Sequence, residues 1–133
     1  MRHAKLGRRE IGAAMVEFAL VLPLMLLVIG GVVDFGRMLF TEVTLTNAAR
    51  EGARAAVVST ATLANIQTRA QAASPGLTVT AAVTPSGTPC AIPGGNATVS
   101  VSAPFTWFIL APISGVAGLP STLTSTAVMK CGG

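Results

Sequence analysis

A chain of 133 residues allows one domain at most, and a hydrophobic fraction of 51% with only 11% charged residues is high for a soluble domain of that size. Part of the apolar surface must therefore face lipid or a partner. The formal charge of +4 does not describe a nucleic-acid binder, because Arg2, Lys5, Arg8 and Arg9 crowd the very start of the chain and no basic stripe with interleaved aromatic residues follows.

Residues 13–33 read AAMVEFALVLPLMLLVIGGVV, with Glu17 as the only charge. At about 1.5 Å of helical rise per residue they span roughly 30 Å, the thickness of a bilayer hydrocarbon core, which predicts one transmembrane helix. The basic cluster precedes this run and Asp34 follows it, so the positive-inside rule places the N-terminus in the cytoplasm and the rest of the chain outside. The alternative is a cleaved secretory signal peptide. Against it, the run exceeds the usual apolar core of about 7 to 15 residues, and the only plain A-x-A, Ala53-Arg54-Ala55, lies far downstream. A weaker small-residue site at Val28-Ile29-Gly30 keeps that alternative open. Pro23, the one helix breaker, is read as a kink.

A carboxylate inside a membrane segment is costly unless it is protonated, paired or near the interface. Glu17 lies one turn inside, where it can snorkel to the headgroups without further purpose. Its surroundings give it another reading. Gly12-Ala13-Ala14-Met15-Val16-Glu17-Phe18, preceded by a polar leader with Lys5, Arg8 and Arg9, resembles the processing site of type IV prepilins. That resemblance implies a prepilin peptidase that cuts after Gly12, leaves Ala13 as the new N-terminus and makes Glu17 the fifth mature residue. Gly7, the other leader glycine, has no acid at that offset. Cleavage would create an α-amine at membrane depth that needs a negative partner. An axial stagger of about one turn, roughly 5.4 Å, brings Glu17 of one subunit level with its neighbour's amine and so sets register. Phe18 fits the glutamate-aromatic pair of the tight-adherence (Flp) pilins. Ala13 departs from the phenylalanine that opens many type IV pilins, which leaves N-methylation open.

Helical periodicity continues past the membrane run, with Val32, Phe35, Leu39 and Val43 at intervals of three or four. A helix from Ala13 to about Val58 would be roughly 70 Å long, so its second half, residues 34–58, stands outside and packs on something. Leu45, Ala48, Ala49, Gly52, Ala55 and Ala56 offer a face of small side chains suited to close approach. Arg37 with Asp34 and Arg54 with Glu51 sit at i, i+3 spacing and are expected only to solvate the other side. Here the likeness becomes specific. GAAMVEFALVLPLMLLVIGGVVDFGRML followed by TNAAREGARAAVV resembles the TadE-like family of tight-adherence pilus proteins. Membership implies a minor pilin or pseudopilin, matured by a dedicated prepilin peptidase and assembled with other pilin subunits on a pilus assembly platform. ATVSVSAPF and the later STLTSTAVMK are compatible with that family but far less specific.

Residues 59–133 read as a small α+β head. Ser59 or Thr60 can cap a short helix with Leu63, Ile66, Ala70 and Ala73 on its apolar face, ended by Ser74-Pro75-Gly76. Residues 77–84 and 97–103 alternate apolar and polar as strands, a Pro- and Gly-rich loop covers 85–96, and a third strand runs over about 122–130. The predicted architecture is a long N-terminal helix packed by a small antiparallel sheet, like a type IV pilin. Cys90 and Cys131 lie on the exported side, where thiols oxidise, and are expected to form a disulfide. Its loop of about 40 residues would contribute roughly 4 kcal/mol in the chain-entropy treatment. Unpaired or intermolecular cysteines are the alternative. Residues 105–113, with the only tryptophan, are too short to span a membrane and read either as core filling beneath the sheet or as an apolar patch on the membrane surface or a partner.

After Glu51 the sequence contains no Asp, Glu or His, and His3 lies in the expected leader, so acid-base pairs, triads and metal-assisted hydrolysis have no participants in the head. No cofactor, metal or small-molecule substrate is expected. The reading is a structural subunit in the bacterial inner membrane or its surface pilus; the alternative is an unprocessed single-pass anchored protein whose exported head binds a ligand.

Overall fold

The computed structural model describes residues 7–58, 60–91 and 94–132. One helix, α1 (Gly7–Ala56), makes up 50 residues and is about 75 Å long. It runs through Pro23 and through residues 7–12, which the sequence assigns to the leader, so the Gly12-Ala13 bond lies inside the helix and not at its start. The first six residues of the expected leader lie outside the described residues. Proline is tolerated in such an apolar segment because only one ladder hydrogen bond is lost to it.

The head attaches only to the outer half of α1. Gly30, Asp34, Thr41, Leu45, Ala48, Gly52 and Ala56 recur at helical spacing, and all are buried. The stripe Val32, Phe35, Leu39 and Val43, which first marked the helix as continuing, is exposed, and of these Phe35, edge-on to Trp107, also touches the head. The packed face is thus the small-residue face, and the larger apolar side chains are left uncovered.

Helix α2 (Leu63–Ala72) is capped by Thr62, whose hydroxyl accepts from the Asn65 N–H at 3.3 Å, and not by Thr60; Ser59 lies outside the described residues. The helix ends where the Ser74 hydroxyl donates to the Ala70 carbonyl and Gly76 takes a positive φ of 78°. Strands β1 (Thr80–Thr84), β2 (Asn96–Pro104) and β3 (Thr122–Lys130) form an antiparallel sheet in the order β1-β2-β3, with Val99 opposite both Val83 and Ala127. Ala97, Val99, Val101 and Ala103 of β2 face the helices, while Thr98, Ser100 and Ser102 alternate toward solvent. A one-turn helix, α3 (Ala111–Ser114), lies in the β2–β3 connection.

β1 is shorter than its alternating pattern. Residues 77–81 are held instead by two glutamine amides one turn apart on α2. Gln71 donates to the Leu77 carbonyl at 2.6 Å and accepts from the Val79 N–H at 3.1 Å; Gln67 donates to the Val79 carbonyl and accepts from the Ala81 N–H, both at 2.6 Å. Side chains therefore complete the backbone pairing that another strand would supply.

The core joins Leu45, Ala48, Ala49, Ala53 and Ala56 of α1, Ile66 and Ala70 of α2, and the inner face of β2. Gly52 allows the close approach: a Cβ there would meet Val99 Cγ1 at 3.0 Å and Ile66 Cγ2 at 3.6 Å. The Thr46 and Ser125 hydroxyls, 3.1 Å apart, link α1 to β3.

Candidate assembly site

Gly12, Ala13, Glu17 and Phe18 all lie on the bare half of α1, exposed and untouched by the head. A Cβ at Gly12 would meet nothing within 4 Å. Ala13 and Glu17 are four residues apart and so share a face one turn apart. The ion pairs among the described residues are Arg37–Asp34 and Arg54–Glu51, and Glu17 belongs to neither. From there to Ile29 every side chain is open to its surroundings, the pattern of a segment whose neighbours are lipid or other helices.

Gly30 marks the change. A Cβ there would collide with the Ile109 side chain, so this glycine seats the β2–β3 connection directly on the helix. One turn later Asp34 is fully buried and holds that connection by its backbone. Its Oδ2 accepts from the Ile109 and Leu110 N–H groups at 2.9 and 3.0 Å, and its Oδ1 from Phe108 N–H at 3.2 Å. Arg37 approaches the same Oδ1 at 3.4 Å and also donates to the Thr106 carbonyl. Its guanidinium stacks over the Phe108 ring, 3.8 Å from the centroid, and lies 5.4 Å from that of Phe105.

This overturns the expectation that Asp34 and Arg37 merely solvate the helix. A carboxylate that accepts three backbone N–H bonds is stabilised in its charged form. The Leu110 N–H does most to hold it below its ordinary value of 3.8, with Phe108, Ile109 and Arg37 adding to that and burial opposing it. The spacing of Asp34 and Arg37 signalled a pair; the distant loop that needed an anion had no sequence signal. The Arg54–Glu51 pair, at 3.5 Å with both side chains well exposed, behaves as expected and contributes little.

Residues 105–113 divide between the two readings open for them. Phe105, Trp107 and Leu110 are buried, with Trp107 edge-on to both Phe35 and Phe105 and its Nε1–H donated to the Pro120 carbonyl at 2.9 Å. Phe108, Ile109 and Ile113 remain exposed. At the opposite end of the sheet the structure joins Cys90 to Cys131 in a disulfide, with Cα atoms 5.3 Å apart. Cys131 also exchanges backbone bonds with Gly94 and Gly95, extending the β2–β3 ladder by one step. Among the described residues no three His, Cys, Asp or Glu side chains group as metal ligands would.

A helix bare for its first half, long and apolar enough there to cross a membrane, and clasped by a small antiparallel sheet along its second is an α+β architecture consistent with a pilin. Over residues 12–54, about a third of the chain, the sequence matches the family model described as TadE-like protein. The matched family is one of Tad pilus-related, minor-pilin-like structural proteins. No curated protein and no solved structure matches the chain.

Proposed function

We propose that this chain is a minor pilin or pseudopilin of a Tad (Flp-type IV) pilus or related secretion filament, inserted in the inner membrane with its N-terminus cytoplasmic and its head exported. A prepilin peptidase cuts it after Gly12, and Ala13 becomes the mature N-terminus. Glu17 then pairs with the α-amine of a neighbouring subunit, and Phe18 packs beside it against the next helix.

The observation that carries this reading is the uncovered face of α1. It includes residues 13–29 and Val32, and it continues beyond the membrane run as Leu39, Phe40 and Val43, all exposed. Lipid accounts for the first part only. An apolar stripe that rises above the bilayer on the side away from the head is suited to packing on the helices of other subunits. The Glu17 pairing adds register to a contact that packing alone leaves free to slide.

Glu17→Ala tests it. The variant is expected to insert and accumulate in the membrane like the wild type, yet to be recovered in sheared filament fractions at a small fraction of the wild-type level. Normal incorporation would overturn the register role.

A further inference from the structure

The β2–β3 connection leaves the sheet beside the membrane run and carries a second set of exposed apolar side chains. Phe108 is 65% exposed and Val116 95%, with Ile109 and Ile113 about half exposed between them. Its depth is fixed by two contacts to α1. Ile109 seats on Gly30, three residues inside the end of the apolar run, and so about 4 to 5 Å below that end. The Phe108 ring lies under Arg37, four residues beyond the run, about 6 Å above it. An apolar tip below a cation, across a layer of about 10 Å, is the profile of a segment lying at the boundary between acyl chains and headgroups.

We propose that residues 108–116 are a membrane wedge: they insert into the outer leaflet beside α1, with Ile109, Ile113 and Val116 among the upper acyl chains and Arg37 at the anionic headgroups. The occupant of this surface is lipid because the same loop is packed on a residue of the spanning segment. The wedge gives the single-helix anchor a second point of contact and so fixes which face of the head meets the membrane before assembly. Residues 108–110 are positioned by Asp34, which couples wedge depth to the base of the helix.

The inference rests on α1 spanning the bilayer but not on processing or assembly, so it is tested on the purified full-length chain in phosphatidylcholine–phosphatidylglycerol vesicles. With the native cysteines bonded to each other, a maleimide fluorophore reports single sites: Ala111→Cys in the wedge, Leu26→Cys mid-span, and Ser86→Cys on the loop at the far end of the sheet. Nitroxides high on the acyl chains should quench Ala111→Cys strongly and Ser86→Cys not at all, while aqueous iodide should reach Ser86→Cys several-fold faster. Adding Ile113→Ser with Val116→Ser, both exposed and outside the core, should return the Ala111→Cys label toward water with the head's melting unchanged.

Iodide access at Ala111→Cys equal to that at Ser86→Cys, with Leu26→Cys still quenched by deep nitroxides, would overturn the wedge alone. Failure to quench Leu26→Cys would overturn the wedge and the anchor together. Protection of Ala111→Cys that appears only at high protein-to-lipid ratio would assign the patch to a second copy and overturn the proposal, as would a depth unaffected by the paired serine changes.

Discussion

Asp34 links the head to the apolar half of α1 through charge, and its carboxyl is held below its ordinary 3.8 chiefly by the Leu110 N–H. Because the folded value is depressed, the native state binds fewer protons than the unfolded chain in that range. The resulting stabilisation is fully present above 3.8 and is lost as pH falls through the lower folded value. In detergent-solubilised protein the near-ultraviolet signal of Trp107, whose loop Asp34 holds, is expected to fade below about pH 4. Asp34→Asn should weaken the loop already at neutral pH and abolish that acid step; an unchanged acid midpoint would show that another group is responsible. Gly52 fails in a different way, through volume. Gly52→Leu forces a side chain against the stiff Val99 and should cost about 1 to 3 kcal/mol in chemical denaturation, against a gain in helix propensity of up to about 1 kcal/mol. The bare glycine at position 12, with nothing within 4 Å, should accept alanine with no loss of fold stability, so any defect of Gly12→Ala would lie in processing.

Among the elements, the α2–β1 junction is the least conventional. Two glutamines replace a strand neighbour for residues 77–81, and Gln67→Ala leaves the Val79 carbonyl and the Ala81 N–H without that partner. A loss of roughly 1 to 2 kcal/mol is expected, with faster amide exchange at Ala81 while Val99 and Val101 in the central strand stay protected. The same junction shows where sequence patterning stops. Alternation marks residues 77–84 as extended, which they are, but it reports only which way side chains point and not what takes the backbone hydrogen bonds. Strand β3, expected over about 122–130, is found at Thr122–Lys130. The long helix was legible from composition, and its packed face from the mostly small residues Leu45, Ala48, Ala49, Gly52 and Ala56, which are buried against the head. Large apolar residues at helical spacing are the usual signature of a packed face, and here alanine and glycine take that face because the sheet comes so close. Asp34 escaped because a lone acid beside a membrane run looks like a boundary residue until a loop about 75 residues later in the chain arrives on it. The motif at Gly12 and Glu17 is the reverse case, plain in sequence and without a partner in a single chain, since its proposed partner is another subunit.

At the scale of the molecule, the two halves of α1 have different environments, and the joint between them lies at Gly30 and Asp34. The head is a small sheet and two short helices, stabilised by a modest core, so the Cys90–Cys131 bond that secures the far end of the sheet should matter. Replacing both cysteines with serine should lower stability by about 2 to 5 kcal/mol and leave the Asp34 end docked, read as a lower denaturation midpoint with the Trp107 environment retained before the transition. Anchoring and head folding are thereby separable from what the protein is proposed to do, which depends on the exposed side of the helix and on the new terminus at Ala13. In the proposed role, cleavage is the step that would turn an anchored protein into a filament subunit. The most direct test is the intact mass of the protein isolated from cells with and without the prepilin peptidase. The account predicts a chain beginning at Ala13 when the peptidase is present and the full-length chain when it is absent; a chain that begins at Met1 in both would contradict it.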